Sequence, residues 1–264
     1  MGRLSAYFFS RFRTWERPAQ VAILMALALL ALAIIVLFLV PQDARSLLLA
    51  GILGLLIAIQ VIIMWANRSM VTPYTQAQRQ YLAGDMDAAR SILEAVDDAG
   101  KSDAQTLTLL GNTYRQLGLL DKSVQVLTKA VQIRPLGYFP HYGFGRTLMM
   151  MGKYTEAIAA IQKALAAGAP PVVHVDLAEA YFRSGGWEDA ATHLDVLEVT
   201  GLEPHRALLT VYMRYRLGQG DTPAPDVIRD GLPYWQENAA RFHNTPYGQA
   251  LAADVVEIQA FLEE

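Results

Sequence analysis

Apolar residues fill the first quarter of the chain in two long runs and then recur at helical spacing along the rest. The first run, Ala19 to Val40, holds 22 residues with no charge and only Gln20 at its edge. The second, Ser46 to Ala66, holds 21 and is interrupted by Gln60 alone. As helices, each is long enough to cross a hydrocarbon core of about 30 Å. Neither shows the polar face expected of a soluble helix of that length. Pro41-Gln42-Asp43-Ala44-Arg45 joins them, which predicts a tight antiparallel hairpin. A cleavable signal peptide is the competing reading of the first run. Its apolar stretch is too long for that, and no small-residue cleavage site precedes the second run.

Beyond Pro73 the pattern becomes periodic. Gly84, Gly118, Gly152 and Gly185 recur at intervals of 34, 34 and 33 residues, within YLAGDMDAA, RQLGLLDKS, MMMGKYTEA and FRSGGWEDA. Such a period marks a repeat array. In the second repeat, Ala104 to Leu117 carries apolar residues at helical spacing, and Gly118 ends it. Asp121 is placed to cap a second helix, which runs to Ile133 before Pro135 stops it. Each repeat is then two short amphipathic helices that bury their apolar faces only by stacking. A fifth unit keeps a first helix, Arg206 to Leu217, and loses the pattern at Pro223 and Pro225. A helix near Val227 to Glu237 and a last one from Pro246 to Leu262 follow, with Phe242 to Thr245 as the turn between. Leu251, Val255, Ile258 and Leu262 form one stripe on the last helix, suited to capping the array or, alternatively, to dimerisation.

Charge divides the chain at the same place. Residues 1–69 carry six arginines against Glu16 and Asp43, a net of +4, and the remainder carries 16 basic and 23 acidic residues, a net of −7. An acidic domain argues against nucleic acid as a partner. Four arginines precede the first run (Arg3, Arg11, Arg13, Arg17), and Arg68 and Arg79 follow the second. The positive-inside rule therefore predicts both termini in the cytoplasm. The uncleaved anchor points to a bacterial inner membrane. Residues 1–18, with Phe8, Phe9, Phe12 and Trp15, read as an interfacial segment, and Trp65 as an anchor at the far end. Ala22/Ala26 and Ala50/Gly54 offer close helix approach. Gln60 alone makes no ion path.

Leu110-Gly111, Tyr114, Leu127, Ala130 and Pro135 together resemble the tetratricopeptide repeat family. The third unit resembles it through Phe144-Gly145, Leu148, Gly152, Tyr154, Ala157, Ile161 and Ala164. The fourth does so through Leu177-Ala178, Tyr181, Gly185, Trp187, Ala190 and Leu194. The first unit, through Gly84, Ala89 and Leu93, is weaker. The expected fold is all-α. A transmembrane hairpin (19–40 and 46–66) precedes an α-solenoid over 70–220, with units 70–103, 104–137, 138–170, 171–203 and a degenerate 204–220. Capping helices fill 221–264.

The resemblance implies that the first helix of each unit lines a groove for a protein or peptide. By alignment the groove positions are Tyr74, Gln78 and Tyr81, then Gln105, Thr108, Asn112 and Arg115, then Phe139, Tyr142, Arg146 and Met149, then Val175, Glu179, Phe182 and Arg183. Inter-repeat packing with solvated charge is the other reading of the same set. Asn112 sits near a position of the family's carboxylate clamp, but the accompanying lysines are absent.

No cofactor and no catalytic set is expected. The chain lacks cysteine, and it has no HExxH, GxSxG, phosphate loop or GxGxxG. His141 and His174 hold matching places in successive units and are the one pair to check for metal. The expected function is a membrane-anchored adaptor that binds a partner in the groove. The alternative is an accessory subunit of a membrane complex whose main contacts are made by the hairpin.

Overall fold

The computed structural model describes residues 17–68 and 72–263, so the arginine- and aromatic-rich first sixteen residues lie outside the description, as do the side chains of Asp43 and 66–68. The chain divides between Thr72 and Pro73 into two compact units. In the first, α1 (Arg17–Leu39) and α2 (Arg45–Arg68) flank a short 3-10 turn, Gln42–Ala44. Arg45 Nε donates to the Val40 carbonyl at 3.3 Å and ties the turn to the end of α1.

The hairpin seam is narrow. Ala19 and Ile23 of α1 are buried against Ile59, Ile62 and Ile63 of α2, Ala26 is buried one turn on, and most of the other apolar side chains face outward. Of the small residues, Ala26 lies in this seam, whereas Ala50 and Gly54 face away, with nothing within 4 Å of where a Cβ on Gly54 would stand. Gln60 is exposed as well. Both helices are long and apolar enough to cross a membrane.

The second unit contains, among the described residues, eleven helices and no strand. Ten form five antiparallel pairs: α3 (Pro73–Leu82) with α4 (Met86–Asp98), α5 (Ala104–Gln116) with α6 (Leu120–Ile133), α7 (Tyr138–Met150) with α8 (Tyr154–Ala166), α9 (Val173–Ser184) with α10 (Trp187–Asp195), and α11 (Pro204–Arg216) with α12 (Pro225–Arg241). The last helix, α13, is Pro246–Ala260. The four periodic glycines each stand in the turn within a pair at φ between +73° and +84°, a backbone state that costs glycine little. Gly145 serves packing instead: a Cβ there would meet Ile161 and the Ala157 carbonyl of the partner helix.

Side-chain caps close some of these helices. Asp85 accepts from the Ala88 amide, Asp103 from Thr106 and Thr245 from Gly248. Asp121 caps nothing. It lies within the first turn of α6, whose N-cap is Leu119, and there its charge meets the positive helix end instead. The fifth pair is complete. Pro225 restarts the chain at the first position of α12, where proline's missing N–H costs nothing, and α12 packs on α11. The core runs along the seams: Leu93, Leu107, Leu110 and Ala130 in the first part, and Ile161, Ala164, Leu177, Ala178, Leu194, Leu208 and Ile228 in the second.

Candidate binding groove

Helices packed against their successors define an inner face. The first helices of neighbouring pairs touch one another (α3 with α5, α5 with α7, α9 with α11), and no comparable packing joins the second helices. That first-helix row is therefore the short, inner side of the stack. Gln116, Met150, Arg183 and Arg216 are spaced 34, 33 and 33 residues apart, so they hold one register at the C-terminal ends of these helices.

Two matches to family models cover this region. A tetratricopeptide repeat model matches residues 104–135 and another matches 142–201. Residues 104–135 and 142–201 are thus tetratricopeptide repeats. Among solved structures, a thermophilic tetratricopeptide repeat protein of Thermus thermophilus superposes with a TM-score of 0.51 at 14% identity, covering 71% of this chain and 97% of that one. MamA from Desulfovibrio magneticus RS-1 gives 0.43 at 18% identity, with 73% and 96% covered. A Thermobaculum terrenum O-GlcNAc transferase mutant gives 0.40 at 19%, with 55% of this chain and 25% of that one covered. No curated protein matches the sequence.

The C-terminal half of the tetratricopeptide groove is filled by the chain itself. Arg241, at the end of α12, donates to Gln116 Oε1 at 2.5 Å. Pro246 stands over Gly152, just past α7. Arg183 Nη1 lies 2.5 Å from Asp254 Oδ2, and Arg216 Nη1 donates to Glu257 Oε2 at 2.7 Å. Tyr212 donates to Asp254 Oδ1 at 2.9 Å. Three of the four register positions thus hold the C-terminal helices. The last helix does cover the array, but across its inner face. Tyr247, Leu251, Val255 and Ile258 are buried beneath it, whereas Leu262, expected on the same stripe, lies beyond the helix end and is exposed.

Beside this seat lies a buried charge network. Asp176, 1% exposed, accepts from the Arg146 guanidinium, from Arg206 Nη1 at 2.8 Å and from the Tyr142 hydroxyl at 2.8 Å. Burial alone would raise its pKa, but the two guanidiniums and these hydrogen bonds hold it below the ordinary aspartate value. Glu179 goes the other way. Burial raises its pKa, and Arg183, 3.6 Å away, only partly offsets that. The Arg183 guanidinium also stacks over the Tyr247 and Phe182 rings.

The N-terminal half is open. Tyr138 and Phe139, edge to face at 6.0 Å, separate two clefts of about 450 and 510 Å³. Tyr74, Gln105, Thr108 and Leu136 line the first, and Tyr142, Val172, Leu202 and Arg206 the second. Leu136 is 89% exposed and Phe139 43%.

The expected groove residues therefore separate into two groups. Tyr74, Gln78, Tyr81, Gln105, Phe139 and Tyr142 stay wholly or partly accessible. Arg115 is half-buried, its guanidinium donating to Asn112 Oδ1 at 2.7 Å, and it has no ion-pair partner among the described residues. Thr108 is buried and donates to the Ala104 carbonyl, and Asn112 is largely buried. Met149, Val175 and Glu179 are sealed in, and Arg146 and Arg183 are spent on internal carboxylates.

The histidines do not meet as the alignment allowed. His141 Nε2 bonds the Pro135 carbonyl, while His174 pairs through Nδ1 with His193 at 3.1 Å. Alignment of the first helices pointed to neither Asp176, Arg206 and Tyr212 nor, on α13, Tyr247 and Asp254. Only Asp176 leaves a sequence signal, a carboxylate within the apolar spacing of VHVDLAEAY.

Proposed function

We propose that this protein is a membrane-anchored interaction scaffold. The hairpin α1–α2 spans the membrane with both termini cytoplasmic, and the open half of the groove receives an extended or helical segment of a partner protein. One observation carries the reading: Leu136, Tyr138 and Phe139 stand exposed together between two clefts, on the face this superfamily's first helices line. Large aromatic side chains of this kind anchor interfaces by burying much area at low entropic cost.

The test places a photo-crosslinking residue at 139 in the full chain in native membranes, with Trp187, exposed at the start of α10, as the control position. A discrete adduct at 139, absent at 187 and lost when Tyr74 and Tyr138 are both changed to Ala, supports the groove. Equal adducts at both positions would refute it. Reporter fusions after Glu264 decide orientation, a cytoplasmic signal being expected.

A second reading, a subunit whose hairpin makes the main contacts, draws on the outer face of α2. Gly51 and Gly54 meet nothing there, and Gln60 is exposed beyond them. Exchange of the hairpin for an unrelated two-span anchor abolishes assembly under that reading and leaves the adduct at 139 under the first.

A further inference from the structure

The sealed half of the groove has an unusual lining. Side-chain polar atoms buried without a hydrogen-bond partner among the described residues are Glu179 Oε1, Arg183 Nε, Asp254 Oδ2 and Ser102 Oγ. Three of the four lie where α13 meets α9. Arg183 Nη1 pairs with Asp254 Oδ2 there at 2.5 Å, which leaves Arg183 Nε and Glu179 Oε1 without a hydrogen-bond partner. Partial satisfaction of this kind is costly in a low-dielectric interior, so it offsets part of what the apolar contacts and ion pairs of the α13 seat contribute. The seams within pairs are built differently, from side chains such as Leu93, Leu127, Ile161 and Leu194, none measurably exposed.

Topology adds to this. α13 follows α12 through the short turn 242–245, and no described helix is threaded behind it. It can leave and return without disturbing the order of the pairs.

We propose that α13 is a built-in ligand: the sealed half of the groove is a binding site for an amphipathic helix with two carboxylates three residues apart, and α13 yields it to a partner protein's helix of that pattern. The chemistry of the partner follows from what α13 presents. Tyr247, Leu251, Val255 and Ile258 supply the apolar stripe, and Asp254 and Glu257 reach Arg183, Tyr212 and Arg216. A replacement must offer both, because an apolar helix alone would strand the arginines and an acidic coil alone would leave the apolar seat wet. The proposal does not depend on the open half. Loss of the adduct at 139 leaves it standing, and its own failure leaves the adduct.

The probe is a fluorescent peptide with the sequence of residues 246–262, titrated into the full chain in detergent micelles. A tethered helix competes at an effective concentration of about millimolar, so the native chain binds the peptide weakly. Asp254→Asn with Glu257→Gln weakens the resident helix only, and the peptide then binds at least about tenfold more tightly. Arg183→Ala added to that pair removes the gain. A short bismaleimide bridge between Arg216→Cys and Glu257→Cys, in a chain with no other cysteine, blocks the peptide. No binding to the Asn/Gln variant at millimolar peptide overturns the proposal, as does binding that the bridge leaves unchanged. Hydrogen exchange on the unaltered chain gives an independent reading. Amides of α13 exchange before those of α7 and α9, and exchange of all three in one step overturns it. A native chain that is dimeric by light scattering, with α13 crosslinked only to the other copy, overturns it in favour of exchange between copies.

Discussion

The two halves of the inner face are built from the same five helices and are chemically opposite. The half that carries the two clefts is aromatic and open, with Phe139 and Leu136 exposed. The half under and beside α13 is charged, paired and covered, with Asp176, Glu179 and Asp254 buried against Arg146, Arg206 and Arg183. A repeat fixes which side chains share a face, and what the rest of the chain lays on that face decides which of them reach a partner.

Removing the carboxylate at the centre of the covered half breaks the contrast most. Asp176→Ala leaves Arg146 without its counter-ion and Arg206 with only the exposed Glu203, an expected loss of about 3–5 kcal/mol. For a unit of this size that lowers the melting midpoint by roughly 10 °C, read by circular dichroism in detergent. Leu251→Ala, which opens a void beneath α13, costs about 2–4 kcal/mol and shows in the denaturant midpoint.

Glu179→Gln sharpens the contrast in the other direction. Glu179 has a raised folded pKa, so its stabilising contribution is complete below the ordinary glutamate pKa and is lost as pH rises through the folded value. The variant accordingly gains on the native chain as pH rises, and its relative stability is greater at pH 8 than at pH 4. Asp176 has a lowered folded pKa, so what it contributes is present above the ordinary aspartate range and lost as pH falls through the lowered value. Acid titration of Asp176→Asn shows a shallower loss than the native chain. The smallest expected effect is in the open half, where Phe139→Ala shifts the melting midpoint by no more than a degree or two, within about 0.5 kcal/mol, while partner capture falls at least about tenfold.

Much of the fold was legible because backbone requirements are local. A turn that needs positive φ places a glycine at each period, and a helix that buries one face writes Leu107, Leu110 and Tyr114 at its own spacing. Pro225 read as an ending because proline stops a helix, yet at the first position it starts one. The groove was half legible. Alignment placed Arg146 and Arg183 on the inner face, where they are, and could not show that Asp176 and Asp254 would meet them there. Those partners lie 30 and 71 residues away, and no periodicity links α13 to the helices it crosses.

Residues of α12 and α13 touch Gln116, Gly152, Arg183 and Arg216, one point at or just past the end of each of four successive first helices. A stack whose units meet only their neighbours bends like a spring, each joint adding its own give. Fastened across three joints, this one behaves as a braced bracket instead. A load applied between α5 and α11 is shared by that whole stretch, and the span between them is fixed by the strut rather than by the sum of the hinges.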